Sequence, residues 1–540
     1  MSHIHQHYRT YHISALFISV FVVLLVLSGC GSSSSSLLAS KQVLTLPNVG
    51  TEEIGVLDPS QGPDANSALA VNMIYSGLVK VDQHLNVLPD QATWSISSDK
   101  KVYTFKLRPD IKFSDGTPVT ANDYVYTWTR ALLPEVGSSI ATFFESNIAG
   151  ASDVSNGKTK TLSGVKALDA HTLQVTLSKP TPYFLEDLTT SLFDPLNHRL
   201  IDKYGQKNWT QHVMEGAGTG PFKVKTWNHG VSMIFVPNPY YYGPKTKLTE
   251  VDMPIVNNPG TAFKAYRAGQ YSLIWNIFPS DQQTAESLPG FTRQSLLQTD
   301  LLFFDNTKPP FNSVAVRQAF AYAINRDELV RDVFKGTVQP APTIIPPGMP
   351  GYQPNYTGLS YDRTKAKQLL QSVYPDVSKV PSITFSYPSS QVSANEAAAL
   401  QQMWQNALGI QVKLNAIDLA SYNDKTQRHE IQFGFTQWGA DFPDPYDWLA
   451  LNLTTNAANN NGQWSNATFD HTIAQAETLD GQARIAMYNK AEQIAIQDVG
   501  WLPIDHQAMA AVIPPWVHGV TLDGEGLYFG DWSGVYIAQH

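Results

Sequence analysis

Three aspartates stand close together in the stretch "QWGADFPDPYD", which directly follows an apolar run that is typical of a buried strand. Asp441, Asp444 and Asp447 have no lysine or arginine near them in the sequence, since none occurs between Arg428 and Arg484. Clustered carboxylates can hydrolyse glycosides as a pair or hold calcium through their oxygens. The stretch therefore raises the question of which positive charge these acids meet.

Local sequence rules separate the three acids. Two prolines within the stretch argue against a calcium loop of the EF-hand kind, which needs a glycine at its turn. Asp444 and Asp447 stand beside prolines and aromatics, so we predict that they cap a helix or close an Asx turn. Asp441 follows the apolar run "FGFTQWGA", so we predict that its carboxylate lies deep at a strand terminus. Because a buried carboxylate without a cation costs several kcal/mol, we expect Asp441 to bind an external ammonium group.

Motifs for enzymatic chemistry are otherwise absent from the sequence. It contains no phosphate-binding GxxxxGK[ST], no GxGxxG after a strand, no GxSxG and no HExxH. The glycine-rich "GAGTGPF" is followed by the strand-like "FKVKTW", where a phosphate loop needs a helix. We therefore predict no catalytic residue, no metal and no cofactor. A secreted hydrolase that uses two of the three clustered acids is the alternative from another functional class.

Length and charge limit the class of protein further. A chain of 540 residues is too long for one hydrophobic core, so two or three domains are expected. The net charge is -9, and the 37 lysines and arginines are scattered along the chain. Because nucleic-acid binding needs a basic patch, we do not expect a nucleic-acid partner.

The amino terminus has the pattern of a secretion signal. The apolar run "ALFISVFVVLLVLSG" ends in small residues at position 29 and is shorter than the roughly 20 apolar residues of a membrane-spanning helix. We predict a signal peptide over 1–29. "LSGC" resembles a bacterial lipobox, which implies acylation of Cys30, the only cysteine. Residues 30–41 then form the lipidated cysteine and a Gly/Ser linker that tethers the protein to the membrane outside the cytoplasm.

Helix and strand signals alternate in the body of the chain. "TANDYVYTWTRAL" predicts a helix with Thr120 as N-cap and Asp123 in capping-box spacing. "SANEAAALQQMWQNALG" predicts another, which opens with Ser393 and Glu396 in the same spacing and stops at Gly409. An alternating strand follows at once, which is typical of an α/β layer.

Several stretches resemble one known family. The chain from about residue 42 onward is similar to the family 5 extracellular solute-binding proteins, the oligopeptide- and dipeptide-binding components of ABC importers. The resemblance rests on eight stretches in the family's order: "LDP", "SGLVKVD", "YTFKLRPDIKFSDGTPVTANDYVYTWTR", "GVKALDAHTLQVTLSKPTPYF", "GTGPFKVKTW", "PPFNSVAVRQAFAYAINRDELV", "WGADFPDP" and "YNKAEQIAIQDVGWLPI".

The resemblance implies an α/β, two-lobe, periplasmic-binding-protein-like fold of class II type, with an extra subdomain inserted in the first lobe. Lobe I is expected at 42–78, 206–299 and 508–540, the subdomain at 79–205 and lobe II at 300–507. It further implies a monomer that encloses a short peptide between its lobes and passes it to the permease subunits of an ABC importer, without enzymatic activity.

The resemblance also implies the residues that bind the ligand. In oligopeptide-binding members, the aspartate of the W-x-A-D motif pairs with the peptide's α-ammonium, which here is Asp441. Gln437, Trp438 and Gly439 are expected to supply backbone partners to an extended peptide, and Ala65 is expected to lie near it on the other lobe. Such strand addition accepts many side chains.

The chain also departs from the family. Oligopeptide binders tend to carry a basic residue two or three positions ahead of the W-x-A-D motif, whereas this chain has Phe435 and Thr436. Recognition of a peptide carboxylate by that route is therefore not expected. Arg317 and Arg326 are present, but both are predicted to be structural. A nickel chelate, haem or an oligosaccharide, which some relatives bind, remains an alternative ligand.

Overall fold

The computed structural model describes residues 38–138 and 147–540. The predicted signal peptide and the lipobox residue Cys30 lie outside the described residues. Contacts divide the chain into two units. In the first, residues 1–40 with 538–540, Leu38 and Ala538 form an isolated antiparallel bridge. The second, Lys41–Ile537, contains every helix and strand given below.

Helices are spread over the whole of the larger unit. Within the described ranges the α-helices are Ala65–Ile74, Ala121–Ala131, Ala151–Ser155, Phe184–Asp187, His198–Tyr204, Pro259–Arg267, Pro279–Ala285, Val314–Tyr322, Arg326–Asp332, Arg363–Val373, Gln391–Leu408, Leu419–Gln427, Pro445–Leu453, Ala467–Ala476 and Gly481–Asp498. Short 3₁₀ helices are Pro59–Gln61, Ser191–Phe193, Trp209–Glu215 and Val377–Lys379.

Strands alternate with these helices. In the first part of the described chain they are β1 (Val43–Thr45), β2 (Asn48–Val49), β3 (Val79–Val81), β4 (Val87–Pro89), β5 (Ala92–Ile96), β6 (Val102–Leu107), β7 (Val165–Asp169), β8 (Thr172–Thr176), β9 (Phe222–Asn228), β10 (Ser232–Pro237) and β11 (Glu250–Val256). Further along they are β12 (Phe291–Phe304), β13 (Gln339–Pro340), β14 (Ile383–Pro388), β15 (Val412–Ile417), β16 (Phe433–Gly439), β17 (Leu502–Val512), β18 (Val517–His518), β19 (Thr521–Asp523), β20 (Gly526–Tyr528) and β21 (Tyr536–Ile537).

Three sheets of four or more strands organise the larger unit. A six-stranded sheet has the order β13-β17-β12-β16-β14-β15, a five-stranded sheet the order β1-β11-β10-β9 with β2 on β11, and a four-stranded sheet the order β5-β6-β8-β7. Parallel pairs occur beside antiparallel ones, as in β14 with β15 and β12 with β16. Mixed sheets with helices between their strands confirm the predicted α/β class.

Two long strands connect two hydrophobic cores. One large core includes Leu301 of β12 and Ile504 of β17, whereas a smaller core includes Ala510 and Val512 at the other end of β17. Phe291, at the start of β12, packs against the smaller core. The antiparallel pairing of β12 with β17 therefore runs from one core to the other.

The pairing of these two strands is irregular between the cores. The register shifts between Ser295 and Thr299 and again between Asp300 and Leu301. Such irregularities bend a strand and increase its local twist.

One predicted capping box is confirmed and the other is wrong. Thr120 is the N-cap of Ala121–Ala131, and its backbone N–H donates to the Asp123 carboxylate at 2.7 Å. The second helix instead begins at Gln391 with Ser390 as its N-cap, since the Ser390 hydroxyl accepts from the Ser393 N–H at 3.1 Å. Glu396 is consequently a buried residue inside the helix and caps nothing.

The glycine-rich stretch "GAGTGPF" has a packing role. A Cβ on Gly218 would stand 2.2 Å from the Ile74 carbonyl oxygen, and one on Gly220 2.6 Å from the Met73 oxygen. The backbone of the stretch therefore approaches the end of the Ala65–Ile74 helix more closely than any side chain allows. β9 follows it, as the sequence predicts.

In the part of the chain that the structure describes, no helix combines the length and the apolar character required to cross a bilayer.

A buried ion pair fastens the "LDP" stretch to the Ala121–Ala131 helix. Arg130 donates to both Asp58 oxygens, at 3.0 and 2.6 Å, and each side chain is only 2% exposed. We expect Asp58→Asn to lower the free energy of unfolding by about 3–5 kcal/mol, because it leaves a buried guanidinium without its counter-charge. Chemical denaturation measures this difference.

Asp153→Asn is the matched control, because Asp153 pairs with Lys158 on the surface, where both side chains are more than half exposed. It is expected to cost less than about 1 kcal/mol. Equal stabilities for the two variants would contradict a structural role for the Asp58–Arg130 pair.

Candidate functional site

Asp444 is neutralised within the chain. It is the N-cap of the Pro445–Leu453 helix, where its carboxylate accepts the Tyr446 N–H at 2.8 Å. Arg484 also donates to both of its oxygens, at 2.5 and 2.7 Å, and the two side chains are buried. The predicted capping role is confirmed, and Arg484 is a partner that the local sequence does not reveal.

Asp447 fixes the end of β16. Its buried carboxylate accepts the backbone N–H of Asp441 at 3.0 Å and the indole N–H of Trp438 at 3.3 Å. Burial raises the pKa of Asp447 well above its usual range, and repulsion from Asp441 adds to the shift. The prediction that Asp447 caps a helix or closes an Asx turn is wrong, because its carboxylate instead accepts two N–H groups at the end of β16.

Asp441 is the member of the trio without an internal counter-charge. It lies two residues beyond the end of β16, and no lysine, arginine or histidine of the described residues forms an ion pair with it. The prediction that it lies deep is wrong, because its side chain is exposed. β16 ends at Gly439, and the buried carboxylate near this strand end belongs to Asp447 in the helix that follows.

The surroundings of Asp441 still disfavour its charge. Removal of surrounding water by the nearby protein raises the pKa of its carboxyl to about 6, although a hydrogen bond with Asp447 opposes the shift. Solvent reaches the Asp441 side chain, but the surrounding protein reduces the number of water molecules that can solvate its carboxylate. The carboxylate is thus accessible and electrostatically uncompensated at once.

One edge of β16 is covered by a neighbouring strand only at its beginning. β14 pairs with β16 only at Phe433 and Gly434. Beyond Gly434, no described strand pairs with that edge, and the Phe435 carbonyl accepts the Tyr422 hydroxyl at 2.6 Å. The edge is therefore open next to Asp441.

The ladder on the other edge decides which backbone groups are free. β16 pairs with β12 so that Trp438 faces Thr299 and Gln437 faces Asp300. Ala440 N–H donates to β12 at Leu297, and hydrogen bonding alternates along an antiparallel ladder. Trp438 therefore directs its backbone groups to β12, whereas Gln437 and Gly439 direct theirs to the open edge.

The remaining predicted site residue lies on a different element. Ala65 is the first residue of the Ala65–Ile74 helix, directly after its N-cap Asp64. Gln437, Trp438, Gly439 and Asp441, in contrast, all lie on β16 or its immediate extension.

A cavity of about 720 Å³ adjoins β16. Phe435, Thr436 and Gln437 line it, and so do the acids Asp300 and Glu396. Sequence reasoning missed both acids. The signal for Asp300 is a single acid inside the otherwise apolar end of a strand, in "LLQTDLLFF".

Arg317 and Arg326 have the structural roles predicted for them. Arg317 donates to the Phe311 carbonyl at 2.8 Å and forms an ion pair with Asp498. Arg326 donates to the carbonyl oxygens of Pro503 and Leu359, at 2.8 and 3.0 Å. Neither residue lines the cavity beside β16.

Comparisons with known proteins give consistent results. The family model described as "Bacterial extracellular solute-binding proteins, family 5 Middle" matches residues 87–460. The chain is 32% identical to the oligopeptide-binding protein OppA of Bacillus subtilis over 94% of this chain and 97% of that protein. It is also 32% identical to the probable deoxycholate-binding periplasmic protein YgiS of Escherichia coli, over 90% of this chain and 92% of that one.

A solved structure extends the likeness to the fold. The murein tripeptide binding protein MppA of Escherichia coli is similar with a TM-score of 0.79 and 28% identity, covering 94% of this chain and all of that one. The predicted α/β, two-lobe fold of periplasmic-binding-protein type is thereby confirmed.

The uncompensated charge of Asp441 predicts a pH-dependent stability. A carboxyl whose pKa is raised on folding destabilises the folded state increasingly as the pH rises from its usual pKa to the raised one, here about 6, and by a constant amount above that. We expect ligand-free Asp441→Asn to unfold at a higher temperature than the wild type at about pH 8, with a difference that shrinks toward about pH 5. Thermal denaturation across this range measures the effect.

Asp202→Asn serves as control, since it removes one negative charge from an exposed position on the His198–Tyr204 helix. Its unfolding temperature should follow that of the wild type at each pH. A destabilised Asp441→Asn protein at the higher pH would mean that the chain itself stabilises the carboxylate.

Proposed function

The chain belongs to the bacterial extracellular solute-binding proteins of family 5, and we propose that it captures short peptides and delivers them to the permease of an ABC importer. It acts as a monomer outside the cytoplasm and breaks no bond. The observation that carries the proposal is the accessible, uncompensated carboxylate of Asp441 at the end of a strand with an open edge.

Asp441 provides the charge for a peptide's α-ammonium. An ammonium group beside this carboxylate compensates its charge and removes the free-energy cost of an isolated anion among protein atoms. This gain contributes to the binding free energy of the ligand. A charge-assisted hydrogen bond between the two groups also has a defined geometry. The ligand is therefore fixed at its amino terminus.

The open edge of β16 provides the contacts to the peptide backbone. Gln437 and Gly439 direct their N–H and C=O groups away from β12, so an extended peptide can add to them as a strand. Trp438 acts indirectly, because its indole holds Asp447 in place. Contacts to backbone and terminus leave the side chains of the ligand largely unread, which suits a transporter of mixed peptides.

The two long strands support the predicted boundaries between the lobes. We place lobe I at 42–78, 206–299 and 508–540, the subdomain at 79–205 and lobe II at 300–507. The boundary at 507 falls within β17 between the two cores, and the boundary at 299 falls within β12 beside the register shifts. Bending at these positions would close the lobes on a ligand and present a closed surface to the permease.

The two other ligand or activity classes fit less well. A hydrolase needs two available carboxylates, but Arg484 holds Asp444, and Asp447 is fully buried with one oxygen bound to two N–H groups. An acidic solute such as deoxycholate, named for one relative, would meet Asp300 and Glu396 in a cavity whose described lining contains no lysine, arginine or histidine.

Secretion and lipidation complete the proposal. The stretch "LSGC" resembles a lipobox, so Cys30 becomes the acylated first residue of the mature protein. The Gly/Ser linker after it lets the binding body stand off the membrane near its permease.

We expect Asp441→Asn to weaken binding of a free-amino pentapeptide by at least about tenfold, or about 1.4 kcal/mol, because the variant lacks the charge that meets the ammonium. Isothermal titration calorimetry measures the affinity, with Asp202→Asn as the control of equal charge change. The same affinity for Asp441→Asn and wild type would refute the role of Asp441.

Acetylation of the peptide's amino terminus tests the same contact from the other side. The acetylated pentapeptide should bind wild type about tenfold or more weakly, since it has lost the ammonium, yet bind Asp441→Asn no more weakly than wild type. Free and acetylated peptides that bind alike would contradict the ammonium contact while leaving the family assignment intact.

Lipidation predicts how the protein fractionates. In cells fed a radiolabelled fatty acid, the wild type should carry label and sediment with membranes, whereas Cys30→Ser should carry none, because the acylated thiol is gone. Labelling of the Cys30→Ser protein, or an unlabelled wild type, would contradict the lipobox.

A further inference from the structure

The cavity beside β16 is acidic and has no basic residue in its described lining. Asp300 and Glu396 line it together with neutral polar and apolar side chains, and no lysine, arginine or histidine takes part. Each of these acids therefore faces the cavity without a counter-charge from the wall.

The architecture of the sheet brings a third acid to the same place. Asp300 of β12 is paired in register with Gln437 of β16 on one side and with Asp505 of β17 on the other. Paired residues on neighbouring strands project from the same face. Gln507 donates to both carboxylates, at 2.9 Å to Asp300 and 2.7 Å to Asp505, and Gln437 donates to Asp300 at 2.6 Å.

Like charges opposite each other destabilise a sheet, and here the chain does not offset them. Burial raises the pKa of Asp300 to about 6, even though Gln437 and Gln507 donate to it. Burial also raises the pKa of Glu396 and that of Asp505 well above their usual range, and repulsion from Asp300 adds to both shifts.

Glu396 has an unused carboxylate directed at the cavity. Its side chain is only 4% exposed, lines the cavity, and has an Oε1 atom with no hydrogen-bond partner among the described residues. Asp505 likewise has an unpartnered Oδ2. A buried oxygen without a donor costs about 1–3 kcal/mol, more when charged. The geometry thus calls for a donor from outside the chain.

That donor is an organic cation rather than a metal ion. Within the described ranges, no three histidine, cysteine or acidic side chains come close enough together to hold a metal. Asp300 and Glu396 line a cavity of about 720 Å³, which accommodates a long side chain with a charged end, and Asp505 lies next to Asp300 on the neighbouring strand.

We propose that this cavity is a subsite for a lysine or arginine side chain of the bound peptide, at the third or fourth position from its amino terminus. The assignment rests on the proposed peptide-binding function and specifies which peptides the protein prefers. Glu396 and Asp300 are the residues that meet the ammonium or guanidinium group.

The position in the peptide follows from distances along β16. Asp441 is four residues beyond Gln437, so their α-carbons are separated by at most about 14 Å. An extended peptide advances about 3.4 Å per residue. With its ammonium on Asp441, the third and fourth residues therefore lie about 7–10 Å further along, next to Gln437 and the cavity.

The test uses pentapeptides of alanine that carry lysine, norleucine or glutamate at one position in turn. Calorimetry with the folded protein should give at least tenfold tighter binding for lysine than for norleucine at the third or fourth position. Glutamate at these positions should give the weakest binding. At the fifth position the three should differ less than about threefold.

Variants locate the preference. Glu396→Gln and, separately, Asp300→Asn should bring the lysine-to-norleucine affinity ratio close to one. Asp441→Asn should weaken both peptides while keeping their ratio, and Asp202→Asn should change neither. Two independent acids are used so that a misfolded variant does not decide the result, and circular dichroism verifies each fold.

The outcomes separate the two proposals. If alanine pentapeptide binds but lysine at the third or fourth position gives no gain, the basic subsite is wrong and the peptide-binding function stands. If the gain persists in both Glu396→Gln and Asp300→Asn, these acids are not its cause and the assignment is overturned. If no pentapeptide binds at all, the proposed function fails, and the subsite fails with it.

Discussion

A carboxylate that is surrounded by protein atoms is stable only when a cation or hydrogen-bond donors compensate its charge. Of the three neighbouring acids in "QWGADFPDPYD", one has a cationic partner within the described chain and another has none. Asp444 receives Arg484, and Asp447 receives two N–H groups that lock the end of β16. Asp441 receives no cation from the described chain and stays accessible to solvent. Asp441 has no cation beside it among the described residues, while two N–H groups bind its neighbour Asp447. The end of β16 is therefore rigid and anionic, which favours the binding of an ammonium group.

The same strand connects the two regions that a ligand would touch. β16 leads from the acidic cavity, lined by Gln437, to Asp441, and its free edge runs between them. Neither the acidic cavity nor Asp441 has a counter-charge from the described chain. A ligand with two suitably spaced cations would therefore gain binding free energy at both places. Backbone pairing between these ends tolerates any side chain, so general uptake and a charge preference coexist in one groove.

Local patterns predicted the fold class, the helix cap at Asp444 and the strand that leads to Asp441, because each depends on residues within about one turn or strand. Contacts between distant segments could not be predicted from local patterns. Arg484, for example, is forty residues from its partner Asp444. Spacing alone also misled at Ser393 and Glu396, where the helix begins two residues earlier, at Gln391, and leaves the glutamate buried. The acidic cavity could not be foreseen, since Asp300 and Glu396, which line it, come from a strand and a helix that are far apart in the sequence.

The proposed mode of binding places the ligand's amino terminus at Asp441. A crystal structure with a bound pentapeptide that carries a free amino group and lysine at its third position tests it most directly. We predict the α-ammonium nitrogen about 3 Å from an Asp441 carboxylate oxygen, with the peptide backbone paired to Gln437 and Gly439. An α-ammonium bound elsewhere, or an Asp441 carboxylate held by a lysine or arginine of the protein itself, would contradict the central claim.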